Sequence, residues 1–455
     1  MDSIAAGDKI VNSVAHVDAA GALASAKKID QQVVSDPDSL PAYAGVPMLI
    51  KDLNNVSGMP TTFGTASMSQ FVPPFDDETV RRIRAAGFVI LGKTNAPEIG
   101  TLPVTESALL GPARNPWNPA HTPGGSSGGA AAAVAAGYLP AAHGSDGSGS
   151  IRIPASCCGV VGIKPGRGRV SQAPLFGDQV MGYSTQGSLG RRVVDAAALL
   201  DVMQGYAPGD PYHLPPPLRP YAEEAGADPG PCRIGLVSQT PWALPNDDVQ
   251  AALAIAVETL EGLGHSVEPL HLPLPAELIS NFLTIWSASV ASNPLPIEQL
   301  EPHNRAFAEH GHRLSAPDLL RAFTSLQMTS RAVVTACLKV DAVLAPVLMT
   351  PPVPIGHFGG DAFDADDSDA FDGLVEDLGR YLGLTPIINV TGQPAVGVPI
   401  YQTAVSPGTG TGLPIGVQLI GGAASEAPLI RLAAQLESVC RWDLLRPQLR
   451  ESAKS

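Results

Sequence analysis

Residues 77–92 read DETVRRIRAAGFVILG. Acidic Asp77 and Glu78 open the run and Arg81, Arg82 and Arg84 close it, the order that suits the dipole of a helix. Gly87 then turns the chain into Phe88–Gly92, an apolar run of strand length. A helix feeding a buried strand is the signal of an α/β protein. The same texture extends outward. Upstream, residues 44–53 (AGVPMLIKDL) predict a buried strand ending at Lys51–Asp52, and residues 15–31 predict an alanine-rich helix. Downstream, 128–137 and 195–204 read as helices and 158–165 as a strand. Residues 206–232 are proline-rich and read as a long surface connection. Beyond it, strands are expected at 233–238, 265–272 and 340–348, with a final strand pair at 394–400 and 414–420. Helices are expected at 247–263, through most of 280–340 and at 426–440. The 206–232 segment is either a domain boundary or an excursion from one large sheet; the second reading is preferred, so the expected fold class is α/β, with a single large mixed β-sheet flanked by α-helices in one domain spanning residues 1–455.

Composition narrows the function. A net charge of −15 disfavours a nucleic-acid partner, which needs clustered Lys and Arg. The 44% apolar and 16% charged residues fit a globular chain. The 47 glycines and 44 prolines follow no period and mark tight turns. Five cysteines, odd in number and widely spaced, lack metal-ligand spacing and read as reduced core thiols. The N-terminus shows no secretory pattern, and the small-apolar run 129–142 is too short to span a bilayer. A cytoplasmic enzyme with no membrane partner, no metal and no organic cofactor is expected; a homodimer is compatible with it.

The chemistry concentrates in residues 115–165, NPWNPAHTPGGSSGGAAAAVAAGYLPAAHGSDGSGSIRIPASCCGVVGIKP. Two glycine–serine clusters lie 24 residues apart, counted from Ser126 to Ser150, with a helix between them. Glycines let backbone N–H groups crowd around a small anion, and a serine amid such donors suits nucleophilic catalysis. A phosphate loop fits poorly, because no Lys–Ser or Lys–Thr follows the glycines. Gly125–Gly129 also matches the five-residue nucleophile elbow, which would make Ser127 the nucleophile with His265 or His357 as base. No apolar strand runs into that turn.

Taken together, these stretches resemble the amidase-signature hydrolases. GGSSGG at 124–129 and Asp146-Gly147-Ser148-Gly149-Ser150-Ile151-Arg152-Ile153-Pro154 look like the two halves of that family's signature region, here about residues 110–165. GVPMLIKD, LGKTNAPEIG, NPWN, VTGQPAVGVPI and GLPIGVQLIGG extend the likeness over about residues 40–440. The style of AHGSDGSGSIRIPAS (142–156) also looks like the cyclic-amide and nylon-oligomer hydrolase branch. The resemblance implies Ser150 as nucleophile, Ser126 after a cis peptide as proton relay, and Lys51 as base. It implies an oxyanion hole from the N–H groups of Gly147, Ser148, Gly149 and Ser150, with Ser127, Asp146 and Arg152 in support. A buried lysine serves as a base only when its pKa is depressed, and the apolar run before Lys51 provides burial.

The implied reaction is hydrolysis of a small, fairly apolar amide through an acyl-enzyme, without cofactors. A carbamate or ester hydrolase would use the same triad, and an amidotransferase subunit acting for aminoacyl-tRNA is the rival class. Two departures from the family pattern stand out. Ser148 occupies a usual glycine position and adds bulk beside the site. A helical hairpin expected ahead of Lys51 looks absent. Residues 174–187 and the 282–286 segment are candidate pocket walls. The acidic run Asp361–Asp372 lacks calcium-loop spacing and reads as a solvated loop.

Overall fold

The computed structural model describes residues 1–358, 363, 368–405 and 411–449. Among them lie eleven strands and fourteen helices. The strands are β1 (Val14–Val17), β2 (Pro47–Lys51), β3 (Val89–Thr94), β4 (Ala141–Asp146), β5 (Val161–Lys164), β6 (Thr185–Gly190), β7 (Arg233–Leu236), β8 (Ser266–Pro269), β9 (Ala342–Pro346), β10 (Ala395–Gln402) and β11 (Pro414–Ile420). The helices run α1 (Asp2–Val11), α2 (Ala19–Ser35), α3 (Glu78–Ala85), α4 (Gly128–Ala135), α5 (Arg152–Cys158), α6 (Val193–Met203), α7 (Tyr221–Glu224) and α8 (Asp247–Gly262). They continue with α9 (Leu278–Ala291), α10 (Pro302–Arg313), α11 (Ala316–Cys337), α12 (Ser368–Leu382), α13 (Thr385–Thr391) and α14 (Glu426–Cys440).

Eight strands form one mixed sheet, ordered β4-β6-β5-β10-β11-β9-β7-β8. β7 is parallel to both β8 and β9, and the other neighbours are antiparallel. Strands from both sides of the proline-rich 206–232 connection enter this sheet. The connection itself carries α7, whose Tyr221 is buried. A second sheet of three strands, β1-β3-β2, lies beside the first and carries Lys51 at the end of β2. α6, α8 and α14 pack on the large sheet from one side, where their apolar side chains share a core with Val396, Val398 and Val417. α5 lies on β5, β10 and β11. It can do so because glycines face it: a side chain at Gly162 would meet Ala155 Cβ at 2.8 Å, and one at Gly416 would meet Ser156 Cβ at 2.9 Å. That close approach presses the segment after Ser150 onto the sheet.

Several local expectations are corrected. Residues 14–17 form a strand rather than the start of a helix, because they pair antiparallel with β3; the helix begins at Ala19, capped by the Asp18 side chain. Residues 152–158 form α5, so β5 begins only at Val161; Gly159, in the left-handed conformation, separates the two. β4 and β6 are small-residue strands without an apolar run to announce them. Two helices, α1 and α2, stand ahead of Lys51, against the expectation of a missing hairpin. Of the acidic run, most of 361–367 lies outside the described residues. Its end belongs to α12 rather than to a loop, since Phe371 packs edge-on against Phe307 and Leu374 is buried.

Candidate active site

Lys51 closes β2, whose last four residues are all buried. Its side chain is 0% exposed, and Nζ is hydrogen-bonded to Ser126 Oγ at 2.8 Å and Ser145 Oγ at 3.0 Å. Its backbone N–H donates to His143 Nδ1 at 3.4 Å. Ser126 follows a cis Gly125–Ser126 peptide just before the N-terminus of α4. The glycines around it are demanded by close approach: a side chain at Gly125 would meet the Val104 backbone at 2.3 Å, and one at Gly129 the Asn95 backbone at 2.5 Å. Ser127 ties the two clusters together. Its N–H donates to Ser150 O at 3.1 Å, and its Oγ donates to Ser145 O at 3.0 Å. Neither His265 nor His357 joins this cluster; His265 bonds Cys232 and Gln435, and His357 faces Asp377. Ser150 is nearly buried, at 5% exposure. No direct hydrogen bond links the Ser126 and Ser150 hydroxyls; such links often tighten only around substrate.

The Asp146–Ser150 turn wraps around its own carboxylate. Asp146 accepts hydrogen bonds from Gly149 N at 2.7 Å and Ile151 N at 3.1 Å, and pairs with Arg152 Nη2 at 3.0 Å. Gly149, with φ of 129°, lets the chain fold back to do this. Its N–H is therefore committed to Asp146. The N–H groups of Gly147, Ser148 and Ser150 have no hydrogen-bond acceptor among the described residues. Arg152 is an anchor: its guanidinium also reaches Gln418 Oε1 at 2.9 Å, Thr385 O at 3.0 Å and Asn389 Oδ1 at 2.6 Å. Asn389 in turn donates to Asp146 O at 2.8 Å.

Electrostatics follow from burial. Desolvation lowers the pKa of Lys51 to about 7, with the nearby Asp146 charge opposing the shift. Burial, reinforced by the Lys51 charge, lowers His143 to about 3, so its imidazole is neutral. Burial alone would raise Asp146, but the charge and hydrogen bonds of Arg152 hold it well below the carboxylate range. Burial raises Cys157 to about 12, the behaviour of an inert core thiol. All five cysteines are free.

Two cavities lie nearby: the smaller touches the Asp146–Ser150 turn at Ser148, and the larger touches Gln186, which bonds His143. One of about 30 Å³ is lined by Ser148, Phe282, Trp286 and Phe307. One of about 350 Å³ is lined by Asn54, Phe63, Leu175, Phe176 and Gln186, among others. Both predicted wall segments, 174–187 and 282–286, thus contribute. Sequence reasoning missed Ser145, His143, Asn389 and Gln418. Ser145 had a local signal, since it stands one residue before Asp146. Gln418 lies within the quoted stretch GLPIGVQLIGG, but nothing local ties it or Asn389 to Arg152, which they reach across more than 230 residues of chain.

A buried lysine bonded to serine hydroxyls, beside a turn whose N–H groups have no acceptor among the described residues, suits nucleophilic attack on a carbonyl compound. Comparison with known proteins agrees. Residues 1–430 match the Amidase family. The 6-aminohexanoate-cyclic-dimer hydrolase of Pseudomonas sp. (strain NK87) is 37% identical over 439 residues, 90% of this chain and 85% of that one. The enzyme of the same name from Paenarthrobacter ureafaciens is 37% identical over 442 residues, with the same coverage of 90% and 85%. The structure of a 6-aminohexanoate cyclic dimer hydrolase complexed with substrate superposes with a TM-score of 0.87 at 32% identity, over 98% of this chain and 94% of that one. The chain belongs to the Amidase, or amidase-signature, family. It is an amide hydrolase, acting on carbon–nitrogen bonds.

Proposed function

We propose that this enzyme hydrolyses a small, neutral, largely apolar amide, linear or cyclic, through an acyl-enzyme on Ser150. Neutral Lys51 takes a proton from Ser126, which takes one from Ser150 as Ser150 Oγ attacks the carbonyl carbon. The N–H groups of Gly147, Ser148 and Ser150 receive the oxyanion. Gly149 supports the hole by holding the turn on Asp146, rather than donating to it. Collapse of the tetrahedral intermediate expels the amine, which leaves with the proton returned through Ser126. Water then attacks the acyl-enzyme by the same relay.

The observation that carries this reading is the contact of Lys51 Nζ with Ser126 Oγ at 2.8 Å, at a lysine whose pKa burial lowers to about 7. Apolar cavity walls and the likeness to cyclic-dimer hydrolases favour an aliphatic amide over the glutamine of an amidotransferase. Entry of strands from both sides of 206–232 into one sheet supports a single catalytic domain. Free cysteines fit a reducing, cytoplasmic setting; no described helix is long and apolar enough to cross a membrane. The test is turnover of a panel of anilides, linear amides, cyclic amides, carbamates and esters. Amide turnover with amine release is expected; hydrolysis of esters alone would overturn the amide assignment.

A further inference from the structure

A surface groove of about 970 Å³ runs between α11 and the 167–183 stretch, and it shares no lining residue with the two cavities described above. Met181, Phe323, Met328, Val334 and Leu338 give it an apolar strip. Met328 and Leu338 are each 70% exposed, so the strip stands open to water. Arg167 and Arg331 lie along the same groove, and no described Asp or Glu lines it. In a chain of net charge −15 this is a local reversal of sign. Such a reversal draws anions.

Arg167 is held rigidly. Its Nε donates to Gly182 O at 2.5 Å, and its Nη2 donates to Asn389 O and Val390 O at 2.9 Å each. The rings of Tyr183 and Tyr212 both lie 5.7 Å from the guanidinium carbon. Every acceptor is a neutral carbonyl. Asp178 acts on the charge only from beyond ion-pair distance. Nη1 has no acceptor among the described residues, yet it is not one of the unpartnered atoms that the protein shuts off from water. Arg331 is exposed on α11, and its guanidinium makes no hydrogen bond or ion pair among the described residues. The groove thus carries one fixed and one mobile cation, neither with a counter-charge, beside an open apolar strip.

We propose that this groove binds an amphiphilic monocarboxylate, at a site separate from the catalytic centre. The carboxylate accepts from Arg167 Nη1 and from Arg331, and the hydrocarbon chain lies along Met328 and Leu338. Charge complementarity selects the head group, because a guanidinium matches a planar carboxylate and repels an ammonium. The apolar strip selects the tail. Arg167 is already ordered by its carbonyls and rings, so only Arg331 and the ligand lose freedom on binding.

The test measures Kd by calorimetry on the full-length protein with octanoate, 1-octanol and acetate. Octanoate shares its tail with the alcohol and its head with acetate. It should bind at least about tenfold more tightly than either, since both head and tail contribute. Arg331→Gln should weaken octanoate by about three- to tenfold and leave octanol unchanged. Arg331 is exposed and unbonded, so this variant should fold and keep the unaltered amidase kcat/KM. Protein whose active site carries a fluorophosphonate adduct should bind octanoate as well as before. Failure of octanoate to bind below about 10 mM would sink the site, a weaker limit than even a poorly efficient ligand of its size should reach. Equal affinity for octanol and octanoate would refute the anion contact. Octanoate binding that survives Arg331→Gln, or that the adduct abolishes, would place the carboxylate elsewhere and overturn the proposal. So would a dimer that Leu338→Glu splits and that binds octanoate only once split, because the strip would then be covered by a second copy of the chain.

Discussion

Lys51 and Lys93 stand in adjacent strands of the small sheet, Lys51 opposite Thr94 and Lys93 opposite Ile50, and both side chains are 0% exposed. Their partners differ. Lys93 Nζ pairs with Asp52 at 3.1 Å and donates to Asn54 O at 2.7 Å and Thr61 Oγ1 at 2.8 Å. Lys51 Nζ meets two serine hydroxyls and a backbone carbonyl, with no paired carboxylate. Desolvation lowers both pKa values, but at Lys93 an adjacent carboxylate opposes it, whereas at Lys51 the opposing charge is the more distant Asp146, already held by Arg152. Burial alone therefore does not make a base. A buried lysine gains that property when its partners are hydroxyls that can pass protons and its counter-charge is kept away.

The largest effect should appear at Ser150, the proposed nucleophile. Ser150→Ala should reduce the amidase rate by about four to six orders of magnitude and abolish labelling by a fluorophosphonate. Ser127→Ala should retain the label. A label found by mass spectrometry on Ser127 would overturn the assignment, along with the role given to Lys51.

Next comes the base. Lys51→Met should lower kcat/KM by about two to four orders of magnitude. In the unaltered enzyme, kcat/KM should rise with pH through about 7, where Lys51 loses its proton. That limb should vanish in Lys51→Met and survive in Lys93→Met. A rising limb unchanged by loss of Lys51 would break the comparison.

The stabilities should move in opposite directions. Lys93→Met strands Asp52 as an unpaired buried charge and should cost about 3–5 kcal/mol in urea unfolding. Lys51 has a folded pKa of about 7 against an ordinary 10.5. Between those values the unfolded chain holds a proton that the folded chain does not, so its contribution to stability grows as pH rises and is lost as pH falls. Lys51→Met removes that slope and should stabilise the protein near neutral pH by about 1–2 kcal/mol, as buried charges replaced by apolar groups often do. Destabilisation by both variants would show that the two lysines are alike after all.

The smallest effect should come from chelation. Activity should be unchanged in EDTA, since the proposed base and donors are all protein groups. Loss of activity restored by zinc would sink the relay that separates Lys51 from Lys93.

Much of this was legible in local pattern. The apolar runs at 47–51 and 88–92 announced β2 and β3, and the charge order of 77–84 announced α3. β4 and β6 were not legible. Their glycines, serines and alanines have no apolar period, and they are strands only because neighbouring strands supply the ladder. α5 was hidden in the same way, as a seven-residue helix that lies flat on Gly162 of the strand that follows it and on Gly416 of the distant β11. Ser148 was recognised as bulk beside the site, and it lines the smaller cavity with Trp286.

By itself the sequence determined that the chain is α/β, that two glycine–serine turns stand 24 residues apart, and that a lysine stands at the end of a buried strand. Those facts reside in composition and spacing over a few residues, where steric and solvation preferences act directly. The resemblance implied Ser126 beside Lys51, and the tertiary structure places it there; only that structure decided that Ser145 shares the lysine and that Gly149 gives its N–H to Asp146. Only it brought Asn389 and Gln418 to Arg152, and joined Gln172 and Gln186 to His143. Hydrogen bonds reach about 3 Å and depend on angle, so they are set by how strands and helices register after packing, which no local run of residues specifies.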